Sequence, residues 1–261
     1  MNTKFQDVLR ACKRSKAAYA DGPTIKKQYK HSIFYDGCSK QQHDAQGFLY
    51  RDRNKIYVTF RGTMDVMDTR DVIDIRHEKL FSPHIKVHKG FHSQFFSIEE
   101  DITRDIKDIA SSYKIEEIVF AGHSLGGSCA LISSPYYAEL FKNKYTIKTY
   151  TFGTVSVGNQ NFVQWFQNNV SEHYRVENEE DVVPHIPVHN TFMHVPNGII
   201  LNHQGNIKRE SQTCSSSYFT VLSKVLEKAT WDQLYSDHSC EAYENNLLSS
   251  RKHHRDFWIS L

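Results

Sequence analysis

Ile118-Val119-Phe120-Ala121-Gly122-His123-Ser124-Leu125-Gly126-Gly127 is the stretch on which the reading of this chain turns. Its second half matches G-x-S-x-G, the pattern in which a serine occupies a sharp strand-to-helix turn with its hydroxyl presented outward. The pattern is short enough to arise by chance, so its flanks decide its weight. Ile118 to Ala121 is apolar and partly β-branched, the composition of a buried strand. Leu125 to Phe141 is rich in Leu, Ala and Tyr and reads as helix. Pro135, which lacks a backbone N–H, is expected to kink or end it. Small residues suit such a turn, because a side chain at Gly122 or Gly126 would collide with neighbouring backbone.

Outward from that turn the chain alternates strands and helices. Gln46 to Asp52 and Lys55 to Phe60 read as two strands joined by the polar turn Arg51-Asp52-Arg53-Asn54. Phe91, Phe95, Ile98, Ile102, Ile106 and Ile109 recur every three or four residues, which predicts one helix with a single apolar face. Ile147 to Phe152 reads as a strand and Asn161 to Val170 as a short helix. Tyr174 to Val176 is a strand leading into the acidic turn Glu177–Asp181, and Tyr218 to Leu226 is helical by pattern. Residues 3–20 form a further predicted helix. The alternation implies a mainly parallel sheet covered on both faces. Ligands of such sheets bind outside the carboxyl ends of the strands, where Ser124 falls.

Composition narrows the function classes. The chain has 261 residues, 39% hydrophobic and 24% charged, the balance of a soluble globular protein. No linker or repeat divides it, so residues 1–261 read as one domain. A net charge of +2 gives no argument for nucleic acid. No run approaches the apolar length of a membrane span. The opening residues lack an apolar signal core, and Cys12, Cys38, Cys129, Cys214 and Cys240 contain no C-x-x-C pair, so an intracellular, reducing location is expected. On that reading the sequon Asn169-Val170-Ser171 is accidental. In residues 1–30 eight Lys and Arg face two Asp; a solvated helix face is the simpler reading, and docking on an anionic membrane surface the alternative. His84, His88 and His92 have ligand spacing only on a continuous helix, which Pro83 and Gly90 disfavour, so no metal is expected. Cys129 reads as a small buried thiol rather than a rival nucleophile.

A serine hydroxyl attacks only when a base takes its proton and an acid orients that base. The acids after Ser124 crowd into Glu177-Asn178-Glu179-Glu180-Asp181. The bases include His173, His185, His189, His194, His203 and His238. Pattern alone does not choose among them.

Six segments, in order across residues 45–247, resemble the fungal-type class 3 lipases, an α/β-hydrolase family of acylglycerol and related ester hydrolases. Phe60-Arg61-Gly62-Thr63 resembles the family's oxyanion loop, and Val87-His88-Lys89-Gly90-Phe91 its V-H-x-G-F segment. Gly122 to Gly127 matches its nucleophile elbow. Phe152-Gly153-Thr154-Val155-Ser156-Val157-Gly158-Asn159 is similar to its F-G-x-P-R-V-G-N. Asp181-Val182-Val183-Pro184-His185-Ile186-Pro187 and Asp237-His238 with Tyr243 resemble its acid and base segments. The resemblance implies an α/β-hydrolase fold, with Ser124 as nucleophile, Asp181 as acid and His238 as base. It places the oxyanion against the N–H groups of Leu125 and Thr63, with the Thr63 hydroxyl as a third donor. It implies a lipid or other ester substrate, peripheral contact with a membrane or lipid-droplet surface, and no cofactor or metal.

Two segments depart from the family pattern. Val155-Ser156 replaces Pro-Arg, which bears on local packing more than on chemistry. Met64 to Ile75, in the family's lid position, carries four aspartates and no tryptophan. A lid that enters lipid needs a broad apolar face with aromatic anchors, so weak interfacial activation is expected. A phospholipase or thioesterase of the same fold, or a catalytically silent binding module, are the alternative readings.

Overall fold

The computed structural model describes residues 3–37, 45–63, 76–185, 191–210 and 236–261. In chain order its elements begin with α1 (Thr3–Ala17), α2 (Gly22–Gln28), β1 (Ile33–Asp36), β2 (Gln46–Asp52), β3 (Lys55–Phe60), β4 (His77–Leu80) and β5 (Ser82–His88). Next come α3 (Lys89–Phe96), α4 (Glu99–Ser112), β6 (Glu117–His123), α5 (Leu125–Leu140), β7 (Thr146–Phe152) and α6 (Gln160–Asn169). The series closes with β8 (Glu172–Asn178), β9 (Gly198–Leu201), β10 (Ile207–Glu210), α7 (Cys240–His253) and α8 (Arg255–Ser260).

The main sheet has eight strands in the order β1-β2-β3-β6-β7-β8-β9-β10. Its centre, β3 to β9, is parallel. Antiparallel pairs β1–β2, β2–β3 and β9–β10 form its flanks. Strand β6 shows why both faces need cover. Ile118 and Phe120 enter the core beneath α3 to α6, whereas Val119 and Ala121 enter a second core with Phe5 and Val8 of α1, Tyr243 and Leu247 of α7, and Trp258. A strand buried on both sides reads as a continuous apolar run, as this one does.

The β2–β3 hairpin occupies the residues read from the sequence. The long helix does not. It divides into α3 and α4 at Ile98, whose φ of −126° and ψ of 3° leave the helical region; beside it the Ser97 hydroxyl donates to the Gln94 carbonyl (2.7 Å) and accepts from the Ala45 N–H (3.1 Å). Helix α5 continues through Pro135 to Leu140. It is buried almost throughout its length, and the Ser133 and Ser134 hydroxyls both turn onto the Ala130 carbonyl (3.1 and 2.6 Å). Packing on the sheet outweighs the missing N–H. Strand β8 extends into the segment read as an acidic turn, because the Glu177 carboxylate pairs with buried Arg175.

The basic face of α1 is largely matched within the chain. Lys4 pairs with Glu172, Lys13 with Glu244 (3.5 Å) and Lys16 with Glu241 (2.8 Å). His84 and His88 lie on β5 and His92 on α3, so the three do not share a helix face. No helix among the described residues is long and apolar enough to cross a membrane. The lid-position segment 64–75 and the predicted helix Tyr218–Leu226 lie outside the described residues.

Candidate active site

The turn at Ser124 has the geometry its sequence requires. Ser124 adopts φ 57° and ψ −131°, a left-handed conformation that a non-glycine residue holds only where its surroundings enforce it. The enforcement is visible. Its N–H donates to the Phe152 carbonyl (2.8 Å), and its own carbonyl accepts from Gly127 N–H (3.0 Å). A Cβ added to Gly122 would lie 2.2 Å from the Gly126 backbone, so no side chain fits there. Leu125 then opens α5, where the first N–H groups of a helix lack internal partners. The end of β3 meets this turn closely. A Cβ on Gly62 would sit 3.2 Å from Ser124 Cβ and 2.6 Å from the His123 carbonyl. Thr63 follows Gly62 directly in the chain.

Asp181 and His238 meet. His238 Nδ1 donates to Asp181 Oδ2 over 2.7 Å, with both residues buried. The Tyr243 hydroxyl donates to the same oxygen (2.6 Å) and accepts from Asn178 N–H (3.2 Å). The Val183 N–H donates to Asp181 Oδ1 (2.9 Å). With Asp181 Oδ2 accepting at Nδ1, the His238 ring carries its hydrogen on that nitrogen and presents Nε2 as the other.

The other candidates are committed elsewhere. Glu177 is held by Arg175, and Glu180 faces His203 at 3.3 Å. His173 bonds the Pro196 carbonyl, and His194 the Pro184 carbonyl (2.7 Å). Burial pushes His173 down to about 4 and His194 to about 3, too low for either to act as a base near neutrality. His185 ends a short 3₁₀ turn, and His189 lies outside the described residues.

No hydrogen bond joins Ser124 to His238 in this structure. Ser124 Oγ and His238 Nε2 are both buried, and neither has a hydrogen-bond partner. Such bonds are often long before substrate arrives and tighten in the reacting complex. Two features hold the pair near one another. Phe152, which accepts from Ser124, precedes Gly153, where an added Cβ would touch His238 Cε1 at 3.0 Å. The ring of His123, next to the serine in the chain, packs on the His238 ring with centroids 4.6 Å apart.

His123 and Tyr19 are site residues that sequence reasoning missed. His123 Nε2 lies 2.6 Å from the His238 main-chain oxygen, and Nδ1 lies 2.8 Å from the Tyr19 hydroxyl. A carbonyl only accepts, so Nε2 carries the hydrogen and Nδ1 accepts from tyrosine. Burial, then the nearby His238, push His123 down to about 3, so its ring is neutral. Tyr19 lies 104 positions from His123, and no local pattern links them. Cys129 is buried, and desolvation pushes its thiol up to about 12, far from the reactive thiolate range. Where Pro-Arg was expected, Val155 and Ser156 are both buried, and the Ser156 hydroxyl has no hydrogen-bond partner. Among the described residues no group of three or more His, Cys, Asp or Glu could hold a metal ion.

A parallel sheet, a serine elbow after a central strand, and a paired carboxylate and histidine later in the chain define an α/β-hydrolase. The backbone of the Rhizopus microsporus var. chinensis lipase superposes with a TM-score of 0.69 at 21% identity, covering 91% of this chain and 86% of that one. The family described as lipase (class 3) matches residues 57–191, just over half of the chain, and the chain belongs to that family. It is 28% identical over 137 residues to a Rhizomucor miehei lipase, covering 51% of this chain and 37% of the relative. It is 32% identical over 102 residues to the secreted mono- and diacylglycerol lipase 1 of Fusarium solani, covering 38% and 30%. The matched stretch spans well under two thirds of either relative's length.

Proposed function

We propose that this chain is a serine carboxylic-ester hydrolase that acts on lipid esters such as acylglycerols. The observation that carries the reading is the 2.7 Å bond from His238 Nδ1 to Asp181, with Nε2 of the same ring left without a partner. In the proposed reaction Ser124 Oγ attacks the acyl carbonyl while His238 Nε2 takes its proton, and Asp181 stabilises the imidazolium. The tetrahedral oxyanion is held by the N–H groups of Leu125 and Thr63, with the Thr63 hydroxyl as a third donor. His238 then protonates the leaving alcohol. Water, deprotonated by the same nitrogen, clears the acyl-enzyme.

The substrate class rests on family membership and on relatives named as a lipase and as a mono- and diacylglycerol lipase. Peripheral contact with a membrane or lipid-droplet surface follows, because such esters sit at interfaces. Ser124 is fully buried, so covering residues must move before an acyl carbonyl reaches it. Release of acid from triacylglycerol, phospholipid and acyl-thioester substrates, measured with wild type and Ser124→Ala, tests the proposal. Serine-dependent cleavage of acylglycerols is expected to be fastest. Faster serine-dependent cleavage of phospholipid or thioester moves the assignment to those substrates, and no serine-dependent turnover at all contradicts it.

A further inference from the structure

One buried cation has no part in this chemistry. Arg14, on α1, is 5% exposed, and its guanidinium lies 4.3 Å from the centroid of the Tyr57 ring. Its Nε has no hydrogen-bond partner, and the group joins no ion pair among the described residues. A guanidinium presents five N–H donors in its plane, and a ring face meets none of them. Buried charges are otherwise found paired, because desolvating one without an anion is costly.

Arg14 lines a pocket of about 490 Å³ between α1, the end of α2 and the β2–β3 turn. Arg10, Lys13 and Arg53 bring three further cations to its lining. Its one lining carboxylate, Asp52, is exposed and not paired with Arg14. Arg10 stands 4.0 Å from Asp7 and Lys13 3.5 Å from Glu244, pairs of an exposed cation with a half-buried carboxylate near the surface, where such pairs contribute little. Tyr29, Tyr50 and Tyr57 form an aromatic wall, with successive centroids 4.9 Å apart. Tyr50 and Tyr57 are partners in the β2–β3 register. The pocket lies toward the start of β3, whereas the elbow meets that strand's end, so the two sites are separate.

We propose that this pocket binds a phosphate group, with Arg14 as a fixed fork at its floor and Arg10, Lys13 and Arg53 at its rim. Phosphate suits it because several oxygens sharing nearly two charges can meet several cations at once, and a guanidinium binds two of them in parallel. The volume exceeds that of a bare ion, and the tyrosine wall accommodates a small polar body such as glycerol bearing the phosphate. Its source is either a soluble phosphate monoester or a phospholipid headgroup.

The test is titration calorimetry of the full chain with inorganic phosphate and with glycerol phosphate, at ionic strength matched with chloride. Sedimentation with phosphatidylcholine vesicles, with and without phosphatidic acid, forms the lipid arm. Wild type is expected to bind a phosphate-bearing probe saturably at one site, and Arg14→Met to bind it at least roughly tenfold more weakly. Arg14→Met removes an unpaired buried charge, so it is expected to melt no lower than wild type in phosphate-free buffer. Should that variant fail to fold, the exposed pair Lys13→Ser and Arg53→Ser is expected to weaken binding severalfold with the fold intact. Binding of glycerol phosphate assigns a soluble source, and variant-sensitive binding of phosphatidic acid vesicles alone assigns a headgroup. Absence of saturable binding to every probe, or undiminished binding by the folded variants, overturns the proposal.

Discussion

His123 Nε2 lies 2.6 Å from the main-chain oxygen of His238, so the residue before the elbow serine holds the backbone of the proposed base. The Tyr19 hydroxyl, at 2.8 Å, sets the tautomer that makes this bond possible. An added Cβ on Gly62 would lie 2.3 Å from that hydroxyl, so Tyr19 also abuts the oxyanion loop. One tyrosine, two residues past α1, thus touches the loop after β3 and the neighbour of the serine, and through that neighbour reaches the proposed base.

Removing this support is expected to lower kcat while leaving KM little changed, because a displacement of about 1 Å at the reacting atoms costs roughly a hundredfold. His123→Leu is expected to show about that loss. Tyr19→Phe, which frees the tautomer but keeps the ring, is expected to lose roughly tenfold. Steady-state kinetics beside melting curves separates this from simple unfolding. Unchanged kcat in both folded variants contradicts the role.

Tyr243 supports the acid in a comparable way. Its hydroxyl donates to Asp181 Oδ2 and accepts the Asn178 N–H, so Tyr243→Phe removes one bond to a carboxylate and orphans a buried donor. We expect a stability loss of about 1.5–3 kcal/mol by denaturant titration, accompanied by a fall in kcat. Asp181→Asn is expected to fold normally and lose roughly ten-thousandfold in kcat, because an amide favours the wrong tautomer of His238.

Stability is expected to fall in mild acid. His123 and His194 are held down to about 3 and His173 to about 4, mainly by burial. In the unfolded chain each titrates near 6.5. Between these values the unfolded state binds more protons, so stability is full above about pH 6.5 and declines as pH falls toward the folded values. The slope is at most about 1.4 kcal/mol per pH unit for each histidine. Urea midpoints from pH 7.5 to 4.5 measure it, and a flat profile contradicts the neutral, buried assignment.

Interfacial activation is expected to be weak, given four aspartates and no tryptophan in residues 64–75. Hydrolysis of an ester titrated through its solubility limit is expected to rise smoothly. A sharp jump at the limit assigns that segment a stronger part in lipid contact.

The elbow and the β2–β3 hairpin were legible because local rules govern them: apolar alternation, a polar turn, and glycines where backbone meets backbone. The helix break at Ile98 was not, since the apolar period runs on through it and the neighbouring Ser97 meets Ala45, 52 residues away in sequence. Nor was the passage of α5 through Pro135, which burial on all sides permits. At the site, composition left five residues as the acid segment and six histidines as bases; resemblance singled out Asp181 and His238, and the fold joins those two. Tyr19 and Arg14 carried no local signal, because each matters only through partners that the fold supplies.

The central claim is that His238 activates Ser124. The most direct measurement is the rate of covalent labelling by a fluorophosphonate, which reports the nucleophile without a choice of substrate. Wild type is expected to label once, at Ser124, Ser124→Ala not at all, and His238→Ala at least roughly a thousandfold more slowly. An unlabelled wild type, or His238→Ala reacting at the wild-type rate, contradicts the account.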